Sequence, residues 1–280
     1  MTDFTGRYIQ VQGIRSFIED WGSGQPILCI HTAGQSGVQY RRAAPALAAL
    51  GYRVIVPDLP GHGRTEPHPD GAVTDLGVYA QWCVDMLGEL GIVQPIVVGC
   101  SIGGKITLDI AARLGRRLHA GIAMAASAAP GRVNVNGLRR ELEDVSAPSR
   151  SDRTYYGTRA VVGSSLTEEQ RDLIALMHCR EDPTVSNSDL IGWGTHDLRP
   201  VLAQIAAPLH LVLGSDDLWV TRDLAESTVA AVTGAELTYL DGVGHYPMEE
   251  MPDFADFVHD WLVANRLSTV SREAHVGNAI

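Results

Sequence analysis

Gly99-Cys100-Ser101-Ile102-Gly103 places a hydroxyl between two glycines, and the residues on either side give that hydroxyl a context. Ile96 to Val98 form a short apolar run bounded by Pro95 and Gly99, as expected of a buried strand. From Ile106 onward, Leu108, Ile110, Ala111 and Ala112 read as a mostly buried helix that stops near Gly115. Strand, tight turn and helix with a serine at the tip make a nucleophile elbow. The elbow strains its central residue and lifts that side chain clear of the sheet. The Ile102 N–H then lies at a helix N-terminus, where partial positive charge can stabilise an oxyanion. Cys100 is a second nucleophilic type beside Ser101, but the elbow presents the centre of the motif.

A serine hydroxyl is a weak nucleophile unless an imidazole takes its proton and a carboxylate orients that imidazole. His245 follows Asp241-Gly242-Val243-Gly244 and precedes Tyr246, after an apolar segment running from Ala235 to Leu240. Asp216 and Asp217 follow Gly214 and Ser215 at the end of Leu209 to Leu213. Successive side chains of an extended segment face opposite sides, so only one of the two carboxylates is expected to face the imidazole. The other would be a turn residue accepting backbone N–H groups. A further loop of small residues, His31-Thr32-Ala33-Gly34-Gln35, follows the apolar run Ile27 to Ile30, and its backbone N–H groups can approach a ligand. His31 reads as a residue that braces this loop rather than as a catalytic base.

The elements that must position these groups follow from pattern. Arg7 to Val11 and Ile14 to Asp20 read as strands joined at Gly13. Ile27–Ile30, Arg53–Val56, Ile96–Val98, Leu118–Ala125, Leu209–Leu213 and Ala235–Leu240 read as further strands. Helices are expected over Tyr40–Leu50, Asp75–Leu90 with Thr74 as cap, the segment after Ser101, Arg222–Val232 and Phe254–Leu262. Alternating strands and helices imply an α/β fold with a mostly parallel sheet covered on both faces. Residues 131–198 break the alternation, being polar, helical and without a buried strand pattern. They divide a core of residues 1–130 and 199–266, and they would lie over the strand ends where ligands bind. Residues 267–280 read as a polar tail.

The chain has 280 residues, 45% hydrophobic, with a formal net charge of −11 and a pI near 5.3. That is enough apolar material for one large core, and the acidic balance opposes nucleic-acid binding. No run reaches the roughly 18 apolar residues of a membrane span, and no signal peptide is seen before Gly13. A cytoplasmic location follows as the expectation. Cys29, Cys83, Cys100 and Cys179 form no C-x-x-C pair, and no metal-ligand cluster stands out among the ten histidines. The turn Asp58-Leu59-Pro60-Gly61-His62-Gly63-Arg64-Thr65 lacks the Gly-Lys-Ser/Thr of a phosphate loop.

Together, His31-Thr32-Ala33-Gly34, the turn Asp58 to Thr65, Gly99 to Gly104, Gly214 to Asp217 and Gly244-His245 resemble the α/β-hydrolase superfamily, over nearly all of Tyr8 to Leu262. The resemblance implies Ser101 as nucleophile, His245 as base and Asp217 as acid, in the chain order Ser, Asp, His. It also implies Ala33 and Ile102 as oxyanion donors, with Thr32 departing from the glycine common at that position. Serine at the elbow sets the chain apart from relatives with aspartate there, such as haloalkane dehalogenases and epoxide hydrolases. Residues 131–198 resemble the helical cap of such enzymes. Tyr155, Tyr156, Arg139, Arg140, Arg159, Trp193 and His196 from that segment are candidates to line a pocket. Gln35, Trp219 and Met248, near the triad in sequence, are candidates to touch substrate.

The expected activity is hydrolysis of a small-molecule ester or lactone through an acyl-serine, with no metal or organic cofactor. One alternative is a C–C bond hydrolase acting on a ring-fission keto acid. Another is a hydrolase-like receptor that binds a small molecule and then a partner. The sequence leaves homo-oligomerisation open.

Overall fold

Valine, isoleucine and leucine dominate the central strands because both faces of those strands are covered. Ile96, Val97 and Val98 are fully buried, as are Ile27, Ile30 and Val54 to Val56. The computed structural model describes residues 4–143 and 150–270. Its strands are β1 (Phe4–Val11), β2 (Ile14–Gly22), β3 (Gln25–Ile30), β4 (Tyr52–Pro57), β5 (Ile96–Cys100), β6 (Ala120–Met124), β7 (Leu209–Gly214) and β8 (Glu236–Leu240). They form one eight-stranded sheet in the order β1-β2-β4-β3-β5-β6-β7-β8. The β1–β2 and β2–β4 pairs are antiparallel, and the other pairs are parallel. This is the α/β-hydrolase fold.

Helices α1 (Ala43–Ala49), α2 (Leu76–Glu89) and α3 (Ile102–Leu114) alternate with the first strands. Four helices, α4 (Val135–Glu143), α5 (Arg150–Val161), α6 (Glu168–His178) and α7 (Pro183–Thr195), stand between β6 and β7. Helices α8 (Arg222–Ala230), α9 (Pro247–Glu250) and α10 (Phe254–Ala264) complete the fold. One apolar cluster packs α2 and α3 on one sheet face, through Trp82, Met86, Ile106 and Ile110. The other packs α1 and α10 on the opposite face, through Leu47, Phe254, Val258 and Leu262.

Several boundaries differ from the sequence reading. Asp75, not Thr74, caps α2, its carboxylate accepting the Gly77 N–H. Tyr40 closes a 3₁₀ turn that begins at Gly37, and the chain becomes α-helical only at Ala43. The four-residue α9 escapes detection because it is shorter than two helical periods. The tail is divided: Leu267 and Val270 pack against the α1–α10 cluster, the Leu267 carbonyl accepts from Gln25, and residues 271–280 lie outside the described residues.

Candidate active site

Ser101 stands between β5 and α3 with φ +58° and ψ −118°, a backbone conformation costly for any residue with a Cβ. The surroundings enforce it. The Ser101 N–H donates to the Met124 carbonyl on the adjacent strand, and the Ser101 carbonyl accepts the Lys105 N–H of α3. A Cβ on Gly99 would lie 2.1 Å from the Gly103 oxygen, and one on Gly103 would lie 2.4 Å from the Ile30 oxygen. These glycines let α3 press against β5 and β3, so the chain turns within one residue. Ser101 is 7% exposed, and its hydroxyl makes no hydrogen bond among the described residues. Ile102 is the first residue of α3, where an N–H has no intrahelical acceptor. Cys100 points the other way: its buried thiol donates to the His245 carbonyl at 3.1 Å. Burial, chiefly, holds that thiol well above its usual pKa, so it is not a thiolate.

Asp217 and His245 meet across the ends of β7 and β8. Asp217 Oδ2 lies 2.8 Å from His245 Nδ1, and both side chains are fully buried. A carboxylate there accepts the Nδ1 proton, which leaves Nε2 with its lone pair. Nε2 is buried without a hydrogen-bond partner among the described residues. Asp217 Oδ1 accepts the N–H groups of Trp219 and Val220 at 2.8 and 3.2 Å, which fixes the carboxylate plane. Asp216 faces elsewhere, its Oδ2 accepting the Ser164 N–H at 2.7 Å.

The His245 backbone is gripped on both sides. Its own N–H donates to Val161 O at 2.8 Å. Glu250 accepts the Gly244, Tyr246 and Gly163 N–H groups at 2.6, 3.0 and 2.8 Å. Burial pushes the Glu250 carboxyl above its usual range, although those three donors pull the other way. Sequence reasoning missed this brace, and Glu250, five residues after His245, is the one signal that could have found it.

In the loop after β3, His31 Nε2 accepts the Leu59 N–H at 3.0 Å and Nδ1 donates to the Thr32 carbonyl. Burial pulls its pKa down to about 4, so the ring is neutral and structural. The Thr32 N–H donates to Gln39 Oε1, the Gly34 N–H to Asp189 Oδ2 and the Gln35 N–H to the Thr32 carbonyl. Among Thr32 to Gln35, only the Ala33 N–H has no acceptor among the described residues.

The remaining sequence candidates divide. Trp219 sits against His245, its ring edge-on with centroids 4.5 Å apart, and it is 43% exposed. Gln35 reaches α6, donating to the His178 carbonyl at 3.1 Å. With Arg41, His178, Arg180 and Glu249 it lines a cavity of about 260 Å³ whose walls include neither Ser101 nor His245. Trp193 is instead a packing residue, 5% exposed, with the Lys105 ammonium 5.1 Å from its ring centre. Met248 is likewise core, 1% exposed in the α1–α10 cluster. Tyr155 ties α5 to α6 through a 2.8 Å bond to Asp172, and Arg159 pairs with Glu168 and Asp172. Arg139 and Arg140 are exposed. These side chains were expected at a pocket because they are aromatic or basic. Tyr155 and Arg159 find partners within the insertion, whereas Arg139 and Arg140 keep their charged heads in water.

Two buried polar clusters also escaped the sequence reading, because their members are far apart in the chain. Glu249 binds His178 at 2.6 Å, Arg41 at 2.9 Å and Gln39 at 3.0 Å. Burial alone would raise the Glu249 carboxyl, but His178 and Arg41 outweigh it and hold it below its usual range. Lys105, fully buried on α3, donates to the carbonyls of Ser127, Ala129 and His196, which flank the helical insertion at both ends.

A strained serine at a strand–helix elbow, with an Asp–His pair on the loops beyond it, in this sheet order, defines a class of enzyme. The family model for the alpha/beta hydrolase family matches residues 27–257, and the chain belongs to that family. It is 25% identical over 252 residues to the non-heme chloroperoxidase of Kitasatospora aureofaciens, covering 83% of this chain and 89% of that one. Its fold is similar to that of a thermophilic esterase from Thermogutta terrifontis, with TM-score 0.83, 21% identity and coverage of 95% and 100%. It is also similar to the enol-lactonase of Burkholderia xenovorans LB400, with TM-score 0.78, 19% identity and coverage of 91% and 99%. The protein is thus a hydrolase of the α/β family. No helix among the described residues is long and apolar enough to cross a membrane.

Proposed function

We propose that the protein hydrolyses a small-molecule ester or lactone through an acyl-Ser101 intermediate. The observation that carries this reading is the buried Asp217–His245 pair, with Nδ1 against the carboxylate and Nε2 left without a hydrogen-bond partner among the described residues, together with a serine held at the elbow. Ser101 Oγ attacks the acyl carbon as His245 Nε2 takes its proton. Asp217 stabilises the imidazolium and keeps the tautomer. The N–H groups of Ala33 and Ile102 receive the developing oxyanion. His245 then returns the proton to the leaving alcohol, which in a lactone stays tethered to the acyl group. A water, deprotonated by the same Nε2, attacks the acyl-enzyme and frees Ser101. Helices α4–α7 act as the cap, and Trp219 borders the acyl site. The substrate is a small molecule, and the site of action is proposed to be the cytoplasm.

The test is a panel of p-nitrophenyl acetate, a simple lactone and a ring-fission dienoate, with intact mass measured after quenching. Ester or lactone turnover with an acyl adduct on Ser101 is the expected result. Dienoate turnover far above both would replace this reading by C–C bond hydrolysis. Slow single turnover, with a ligand-dependent rise in melting temperature, would replace it by a receptor.

A further inference from the structure

The loop carrying Ala33 is held by the helical insertion as well as by the core. Peptide groups are planar and trans, so an N–H points away from the carbonyl in its own plane. The Thr32–Ala33 peptide is pinned through its carbonyl, which accepts from the His31 ring at 2.9 Å and the Gln35 N–H at 3.2 Å. The next peptide is pinned through the Gly34 N–H, which donates to Asp189 Oδ2 at 2.8 Å. Asp189 belongs to α7, 155 residues away in the chain. Its side chain is fully buried, as is that of His62, whose Nε2 lies 2.8 Å from Oδ2. Tyr79 OH donates to Oδ1 at 3.1 Å. A buried carboxylate bonded to the peptide that follows Ala33 would oppose a developing oxyanion at that loop unless its charge were matched. His62 provides the match: burial alone would lower its pKa, but Asp189 outweighs burial and raises it. The insertion also presses on Gly34 directly, since a Cβ there would lie 2.8 Å from the Ser186 Cβ of α7.

We propose that Asp189 is a positioning residue of the oxyanion hole, fixing the peptide planes about Ala33 so that its N–H faces the acyl oxygen. The insertion is then part of the catalytic apparatus and not only a cover. The proposal rests on the acyl-serine reading, and its test separates the two. An alkyl fluorophosphonate needs no knowledge of the natural substrate. Ser101 Oγ forms a bond to phosphorus, fluoride leaves, His245 takes the serine proton, and the phosphoryl oxygen occupies the oxyanion hole.

Three proteins are compared: wild type, Asp189→Asn, and the double variant Asp189→Leu with His62→Leu. The double variant removes both charges together, so no unpaired charge is left buried. Asparagine keeps an acceptor for the Gly34 N–H. A misplaced donor is worth about 10²-fold in rate. The expected result is that the labelling rate constant at saturation falls about 10²-fold in the double variant and less than about tenfold in Asp189→Asn, with the probe's binding constant within about threefold in both. Unchanged labelling in a folded double variant would overturn the proposal. So would a loss confined to probe binding, or an equal loss in Asp189→Asn, which would make charge rather than the amide anchor responsible. If wild type is not labelled on Ser101 at all, the acyl-serine reading itself fails. Labelling of wild type with no effect of the variants sinks only the role of Asp189.

Discussion

Ser101, Asp216 and Asp217 show how one residue's surroundings decide its chemistry. If Ser101 is the nucleophile proposed, Ser101→Ala should lose about 10⁶-fold in kcat, since only binding and oxyanion stabilisation would be left. The positive φ at this position adds a second expectation. Ser101→Gly should be as inactive as Ser101→Ala yet more stable than it by about 1 kcal/mol, because glycine tolerates that backbone region. Thermal melting of the two variants checks this, and equal stability would mean that the elbow stores no strain. The adjacent carboxylates separate as cleanly. Asp217→Asn removes the charge behind His245 and permits the wrong tautomer, a loss of about 10⁴-fold in kcat. Asp216→Asn touches only the Ser164 and Ser215 contacts, so kcat should change less than tenfold and stability by about 1 kcal/mol. Steady-state kinetics on both variants decide the matter; the reverse order would assign the acid to Asp216.

At the scale of elements, the elbow depends on how closely α3 approaches β3 and β5. Gly103 is where α3 meets β3, with a Cβ there falling 2.4 Å from Ile30 O and 2.7 Å from His31 O. Both obstacles are backbone, which cannot rotate out of the way. Gly103→Ala should therefore move α3 as a body, carrying Ile102 and Ser101 with it. A loss of about 3 kcal/mol in stability is expected, the upper end of overpacking, together with loss of activity. Urea denaturation and kinetics test this; a variant with near-normal kcat would show that the helix can shift without disturbing the nucleophile. By contrast, the ends of the helical insertion are held through Lys105. Burial pulls the pKa of this lysine down to about 7, and its three carbonyl acceptors favour the ammonium form.

Across the whole molecule, buried histidines couple stability to pH. His31 and His210 have folded pKa values of about 4, lowered by burial from 6.5. Between those limits the unfolded chain binds more protons, so stability falls as pH drops from 6.5 toward 4. Each such ring accounts for on the order of 3 kcal/mol at most. Asp58, Asp109 and Glu249 add to the acid loss, since their lowered pKa values mean that protonation favours unfolding. His62 works in the opposite direction: its raised pKa gives stability present below 6.5 and lost as pH rises through the folded value. Melting temperature should therefore decline from pH 7 to pH 4.5. His210→Gln should flatten that decline, because the imidazole that burial keeps neutral in the folded state is then gone. An unchanged slope would show that His210 does not couple stability to pH.

Some of this was written in the order of residues. The buried strands were legible because both sheet faces are covered, so apolar runs such as Ile96 to Val98 carry no alternation to confuse with a helix. The elbow was legible because Gly99, Ser101 and Gly103 lie within one turn, where spacing alone dictates geometry. His245 and the pair Asp216–Asp217 were legible as candidates, being loop residues at strand ends. Which aspartate faces the imidazole was decided by the bonds from Trp219 and Val220 to Asp217 and from Ser164 to Asp216. The braces were invisible. Asp189 lies 127 residues from His62, His178 lies 71 from Glu249, and Glu250 lies 87 from Gly163. Local sequence specifies which groups can react, because reactivity belongs to the side chain and its immediate turn. Only the tertiary structure decides how those groups are aimed, because a buried carboxylate finds its donors wherever packing brings them.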